Sequence, residues 1–256
     1  MKWGIPMSGM LTDKVVLVTA AAGAGLGYAT ALRCAQEGAR PVISDIHERR
    51  LAEAAERLAK ETGADPIAIP CDVSDTAQVD ALVEQAVERA GRIDVLVNNA
   101  GMGGDQAVVE MTDAEWDKVI DISLTSVFRV TRAVLRHMLP RESGVIVNLA
   151  SVSGWRAQER QAHYAAAKAG VMAFTRCVAM EAAPAGVRVN AVAPSLAMHP
   201  FLEKTVSAEL LKELTSKEAF GRAASPEEVA NVVLFLASDL SSYMTGEVVS
   251  VSNQHP

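Results

Sequence analysis

Val15-Val-Leu-Val-Thr19-Ala-Ala-Ala-Gly23-Ala-Gly25-Leu-Gly27 is the stretch that decides how this chain folds. A short run of Val and Leu reads as a buried strand. The Gly/Ala-rich turn behind it opens a helix that ends near Gly38. Glycines let a backbone turn tightly and approach a pyrophosphate, whose charge then faces the N-terminus of the next helix. Alone, such a cluster fits a plain strand–helix turn equally well. Its place inside a βαβ unit favours the phosphate reading.

The same alternation continues outward. Short β-branched runs at 41–44, 67–69, 95–97, 145–148, 187–192 and 248–251 read as further strands, separated by amphipathic stretches such as 51–61. This is the pattern of an α/β fold, a parallel sheet with helices on both faces. Within 51–61, Glu53/Arg57 and Glu56/Lys60 stand in the favourable i, i+4 order. Thr112-x-x-Glu115 and Ser225-Pro-Glu-Glu228 read as capping boxes at helix starts. From His199 to Gly221 the alternation gives way to a Leu- and Glu-rich helical segment, placed where a substrate lid would sit. The expected organisation is a short leader, 1–10, and one domain, 11–256, carrying a lid at 199–221.

The bulk numbers exclude several classes. Net charge is −7, with 24 basic and 31 acidic residues, which leaves no electrostatic footprint for nucleic acid or an anionic membrane. No apolar run reaches the ~18–20 residues of a membrane span, and the first ten residues hold no signal-peptide core. Cys34, Cys71 and Cys177 lie far apart without metal-ligand spacing, so they read as small buried thiols in a reducing cytosol. The expected location is cytoplasmic, with no metal.

Two constellations carry chemistry. Asp45 lies twenty residues past Gly25, at the end of the second strand. A carboxylate there can accept both adenosine ribose hydroxyls and repel a 2′-phosphate. A turn or N-cap role is the alternative. Tyr164-Ala-Ala-Ala-Lys168 puts a phenol and an ammonium about one turn apart on one helix face. The cation is expected to lower the phenol's pKa from its usual ~10. Ser151, thirteen residues earlier and just past a strand, can reach the same carbonyl oxygen.

Taken in order, these motifs resemble the short-chain dehydrogenase/reductase family over residues 11–251. The family's Gly-x-x-x-Gly-x-Gly turn falls on Ala21, Gly25, Leu26 and Gly27, with Ala replacing the first glycine. Asp72-Val73 resembles the pair that contacts adenine, and Asn98-Asn99-Ala100-Gly101 the segment that braces the sheet beside the cofactor. NADP-using members place Arg or Lys where this chain has Ala24 and Ile46, so the resemblance implies NAD. It implies Tyr164 as general acid/base, Ser151 orienting the substrate oxygen, and Lys168 holding the nicotinamide ribose. The family's fourth member, an Asn, is replaced by Ser123, which puts the usual proton relay in doubt. Pro194, Ala197 and His199 match the segment that embraces the nicotinamide carboxamide, with His199 where a Thr is usual. His163, beside the Tyr, is expected to point off its face and do nothing.

The resemblance further implies a Rossmann-type doubly wound sheet of seven parallel strands, pro-S hydride transfer and a homotetramer. Segments 19–27, 44–51 and 154–158 and the tail 250–256 are similar to one actinobacterial subgroup. That subgroup contains dehydrogenases acting on the 5-hydroxyl of the bicyclic propanoyl-CoA left after steroid rings A and B are removed. An acyl-CoA substrate needs an apolar cleft and a charged mouth. Phe201, Leu202, Leu210, Leu211, Leu214, Trp155 and the Met102-Gly103-Gly104 loop are candidates for the first, Arg156 and Arg160 for the second. A solvated role for both arginines is the even alternative. Two rival functions are a 3-oxoacyl reductase and a dinucleotide-binding regulator without turnover. Asp45, the net charge and Met180 speak against the first, and the retained Tyr164 and Lys168 against the second.

Overall fold

The computed structural model describes residues 9–198 and 208–253. Seven parallel strands form one sheet in the order β3-β2-β1-β4-β5-β6-β7. They are β1 (Val15–Thr19), β2 (Arg40–Asp45), β3 (Ile67–Pro70), β4 (Val95–Asn98), β5 (Gly144–Leu149), β6 (Val187–Pro194) and β7 (Val248–Val251). Each predicted strand is present. Most run one or two residues longer than the apolar runs, because flanking residues such as Asp45, Asn98 and Leu149 still pair in the sheet.

Side chains alternate across the sheet with the period of two that strands impose. Val16, Val18, Ile43, Val97 and Val147 bury one face against α1 (Leu26–Gln36), α2 (Glu48–Thr62) and the last helix, α8 (Pro226–Ala237). Val15, Leu17, Val42, Leu96 and Ile146 bury the other against α3 (Thr76–Ala90), α5 (Ser126–Met138) and α6 (Ala162–Ala182). A fully buried Leu17 or Ile146 contributes ~1.5–3 kcal/mol over its exposed state. The remaining helices are α4 (Asp113–Ile120) and α7 (Ala208–Ser216). No helix among the described residues is long and apolar enough to cross a membrane.

Both capping boxes form, at Thr112/Glu115 and Ser225/Glu228. The expected Glu53/Arg57 pair does not. Glu53 takes Arg49 at 2.7 Å, and Arg57 turns toward the glycine turn instead. Cys34 and Cys71 are buried as expected, but Cys177 is exposed on the outer face of α6, a side the spacing of a single thiol does not reveal. Of the predicted lid, 199–207 lies outside the described residues, which takes His199, Phe201 and Leu202 out of view. The described part, 208–221, is α7 followed by bends.

The strand order reverses between β1 and β4, so their carboxyl ends flank a crevice. Ligands in open α/β sheets bind at such a switch point.

Candidate active site

The turn after β1 is held from three sides. Asn99 Nδ2 donates to the carbonyls of Thr19 and Ala20 at 3.0 Å each. Asp45 Oδ2 accepts from Ala22 N–H at 3.1 Å. Arg57 donates to Gly23 O at 2.5 Å while lying over the Tyr28 ring, 3.6 Å from its centroid. Gly27 is required by space: a Cβ there would stand 2.5 Å from both Ala20 O and Asn99 Nδ2. Ala21, the departure from the glycine pattern, has its methyl in the core, so it takes no room from the turn.

The start of α1 at Leu26 has Gly25 as N-cap and no side-chain cap, leaving N–H groups of its first turn available to an anion. Nothing within 4 Å would meet a side chain at Gly23 or Gly25, so the outer side of the turn is open. Asp45 is nearly buried at the end of β2. Burial pushes its carboxyl above the usual range, against the opposing pull of the Ala22 N–H and of Arg50. Its Oδ1 also accepts from His47 N–H at 3.0 Å, the Asx-like turn role considered from sequence. Two N–H partners leave a carboxylate's other lone pairs free for hydroxyl donors. Open glycine turn, uncapped helix and carboxylate together fit the pyrophosphate and ribose of a dinucleotide. Asp72 closes a turn of its own, accepting from Ser74 N–H and Oγ at 2.9 and 2.6 Å, with Val73 packed against the core.

Across the switch point the sheet carries a buried polar chain. Asn98 Nδ2 donates to Thr131 Oγ1 and Asn148 Oδ1, and Asn148 Nδ2 donates to Thr175 Oγ1, all at 2.9 Å. It ties α5, β4, β5 and α6 together, and satisfied chains of this kind rigidify a core. Thr131 and Thr175 carry no sequence signal of this role. Thr19 Oγ1 accepts from the N–H groups of Asn99 and Ala100 at 3.0 and 3.1 Å.

Tyr164, Ser151 and Lys168 come together at the carboxyl edge. Ser151 is buried just past β5, its Oγ accepting from Ser153 N–H at 3.2 Å and donating to Ser153 Oγ at 3.3 Å. Ser153 was not singled out by sequence; the Ser-x-Ser spacing of 151 and 153 is the signal that could have found it. The Tyr164 hydroxyl lies beside Ser151. Burial raises the phenol's pKa, and Ser151 only partly opposes it. The expected lowering by Lys168 is therefore overturned. Lys168 Nζ donates to Leu149 O at 2.7 Å and stands 5.7 Å from the Tyr164 ring centroid, so its proton is engaged by backbone. Burial also draws the ammonium's pKa down to about 8.

Ser123 is fully buried in a π-turn, Asp121–Thr125, where the helix after β4 is locally widened. Single-turn π-bulges of this kind concentrate at functional sites. Its Oγ accepts from Met102 N–H at 2.9 Å and donates to Met102 O at 2.8 Å. Arg160 faces the carboxylate of Asp105, with Nε 3.1 Å from each oxygen. Trp155 is about half exposed, and Arg156 half-buried, on the turn beyond Ser151. Beyond Pro194, Leu196 O and Met198 N bridge Ala224 around Ala197, leaving that bridge free of Ala197's own peptide groups. His163, which adjoins Tyr164, is buried.

A family model described as enoyl-(acyl carrier protein) reductase matches residues 20–253. A Mycobacterium tuberculosis protein, (5R,7aS)-5-hydroxy-7a-methyl-1-oxo-2,3,5,6,7,7a-hexahydro-1H-indene-carboxyl-CoA reductase, is 63% identical over 97% of this chain and 95% of its own. A 3-oxoacyl-(acyl-carrier-protein) reductase of Thermotoga maritima is 43% identical over 94% and 97%. The solved structure of a short chain dehydrogenase from Mycobacterium smegmatis superposes with a TM-score of 0.87 at 57% identity, covering 100% of this chain and 98% of that one. Sheet order and relatives agree along nearly the whole length: the chain belongs to the short-chain dehydrogenase/reductase family of oxidoreductases.

Proposed function

We propose that this enzyme is an NAD-dependent dehydrogenase that oxidises a secondary ring hydroxyl to a ketone on a bicyclic, steroid-derived acyl-CoA. The observation that carries the chemistry is the convergence of Tyr164, Ser151 and Lys168 at the carboxyl edge of β5, where Lys168 Nζ is held on Leu149 O at 2.7 Å and stands 5.7 Å from the Tyr164 ring centroid. Bound at the β1 turn, the dinucleotide supplies the hydride acceptor. Tyr164 takes the alcohol's proton, and Ser151 holds the substrate oxygen beside it. Burial favours the neutral phenol, so the phenolate that takes the alcohol's proton, and oxidation with it, is favoured as pH rises. Lys168, anchored on Leu149 O, places its ammonium along the phenol's helix face and toward the ribose of the cofactor. Asp45 supports NAD over NADP by meeting a 2′-phosphate with negative charge.

The mycobacterial CoA-ester reductase supports the substrate class, being 63% identical. Arg156 and Arg160, in the stretch between Ser151 and Tyr164, are the cations we assign to the CoA phosphates, with Arg160 also facing Asp105. A homotetramer is supported by apolar side chains left open on α5 and α6, Phe128 at 42% and Met180 at 76% exposed. The Thermotoga relative favours a second reading, a 3-oxoacyl reductase. Replacing Tyr164 by Phe tests the chemistry. Turnover should be abolished while NADH binding stays largely intact, and retention of more than about a tenth of kcat refutes the assignment.

A further inference from the structure

The segment after β4 runs antiparallel along the start of α6, residue against residue. Gly101 lies against Lys168, where a Cβ would stand 3.2 Å from Nζ. Gly103 lies over Tyr164, where a Cβ would stand 3.8 Å from Cδ2. Gly104 lies on His163, and Asp105 holds Arg160. Gln106 N–H donates to Arg160 O at 2.8 Å, and Ser123 fixes Met102 at the other end. Three glycines in four residues leave room for the phenol, the ammonium and the imidazole beneath them.

The tightest of these contacts is Gly104 on His163. A Cβ at Gly104 would fall inside the van der Waals envelope of Nε2 and 3.0 Å from Cε1. His163 is 2% exposed, and its Nδ1 has no hydrogen-bond partner among the described residues. A buried, unpaired ring nitrogen is costly, so the ring's place is not set by that atom's bonding. It is set by packing, and the packing partner is a position that accepts no side chain. His163 immediately precedes Tyr164 in the first turn of α6, so a displacement of that turn to relieve a clash at His163 would carry the phenol with it.

We propose that Gly104 and His163 form a steric pin that fixes the register of the loop against α6 and thereby positions the Tyr164 hydroxyl. The pin rests on the reading of Tyr164 as the acid/base. His163 acts through Tyr164 and is a positioning residue. Gly103, whose Cβ would meet Tyr164 at ordinary contact distance, is the milder position beside it.

The test is a double-mutant cycle read by steady-state kinetics, NADH fluorescence titration and circular dichroism. Gly104→Ala should lower kcat at least tenfold and shift its pH profile, with NADH affinity within twofold and the fold retained. Adding His163→Ala removes the obstacle, so the double variant should exceed Gly104→Ala in kcat and come within threefold of His163→Ala alone. A Gly104→Ala enzyme within twofold of the parent, or a double variant no faster than Gly104→Ala, overturns the pin. Should Gly104→Ala alone not fold, the comparison is made in the His163→Ala background. There the added methyl should cost less than twofold, and a further tenfold loss overturns the proposal. An active Tyr164→Phe enzyme would instead refute the acid/base reading on which the pin rests.

Discussion

Ser123 and Met102 are joined twice: the Ser123 hydroxyl accepts from the Met102 N–H at 2.9 Å and donates to its carbonyl at 2.8 Å. One donor and one acceptor site are thus engaged by backbone, leaving the hydroxyl's second lone pair. The residue at the family's Asn position works here as a bracket on the loop beside Tyr164. Ser123→Ala should cost under ~1.5 kcal/mol in activation free energy, the scale of one or two neutral hydrogen bonds. A collapse of kcat comparable to that of Tyr164→Phe would place the hydroxyl in the proton relay instead.

Asp45 should give NAD at least about a tenfold advantage over NADP in kcat/KM, ~1.4 kcal/mol. Asp45→Ala should narrow that gap. It should also weaken NAD binding, because the carboxylate holds the glycine turn through Ala22 N–H. Equal efficiency of the two cofactors in the parent enzyme would contradict the assignment.

Arg57 links α2 to the turn through Gly23 O and stacks on Tyr28. Arg57→Ala should raise KM for NAD about three- to tenfold with kcat nearly unchanged, in keeping with ~1 kcal/mol for an exposed stack and hydrogen bond. Arg57→Lys should recover only part of this, since a lysine lacks the planar face. An unchanged KM in Arg57→Ala would show that the turn holds its shape without the guanidinium.

Lys168 gives a pH signature in stability. Its folded pKa is drawn to about 8 from 10.5 by burial. Between those values the unfolded chain holds a proton that the folded one has lost, so stability rises with pH across that window. Relative to Lys168→Met, the parent should gain up to ~3 kcal/mol between pH 8 and 10.5, at ~1.4 kcal/mol per unit. Denaturant titrations of both proteins at several pH values check this. A difference that stays flat, or falls with pH, would show that the ammonium remains charged in the folded state.

Much of this was legible in the sequence. Strand positions followed from apolar runs, and both capping boxes from four-residue patterns, because those signals are local. The Tyr164/Lys168 spacing and Asp45 likewise come from single elements whose geometry the chain dictates. What escaped was set between elements distant in sequence. Arg57 reaches Gly23, Arg160 reaches Asp105, and Thr131 and Thr175 complete the asparagine chain, pairings that no periodicity encodes. Burial was the other gap: it reversed the expected direction for the Tyr164 phenol, and it packs His163 beneath Gly104, which no local pattern announces.

The most direct test of the account compares kcat/KM with NAD for a bicyclic, steroid-derived hydroxy-acyl-CoA and for short 3-hydroxyacyl-CoA esters, followed by NADH absorbance. The bicyclic ester should be oxidised to its ketone with at least about a hundredfold advantage, ~2.7 kcal/mol of transition-state discrimination. Faster turnover of the short esters would contradict the account and identify the enzyme's substrate as a linear acyl chain.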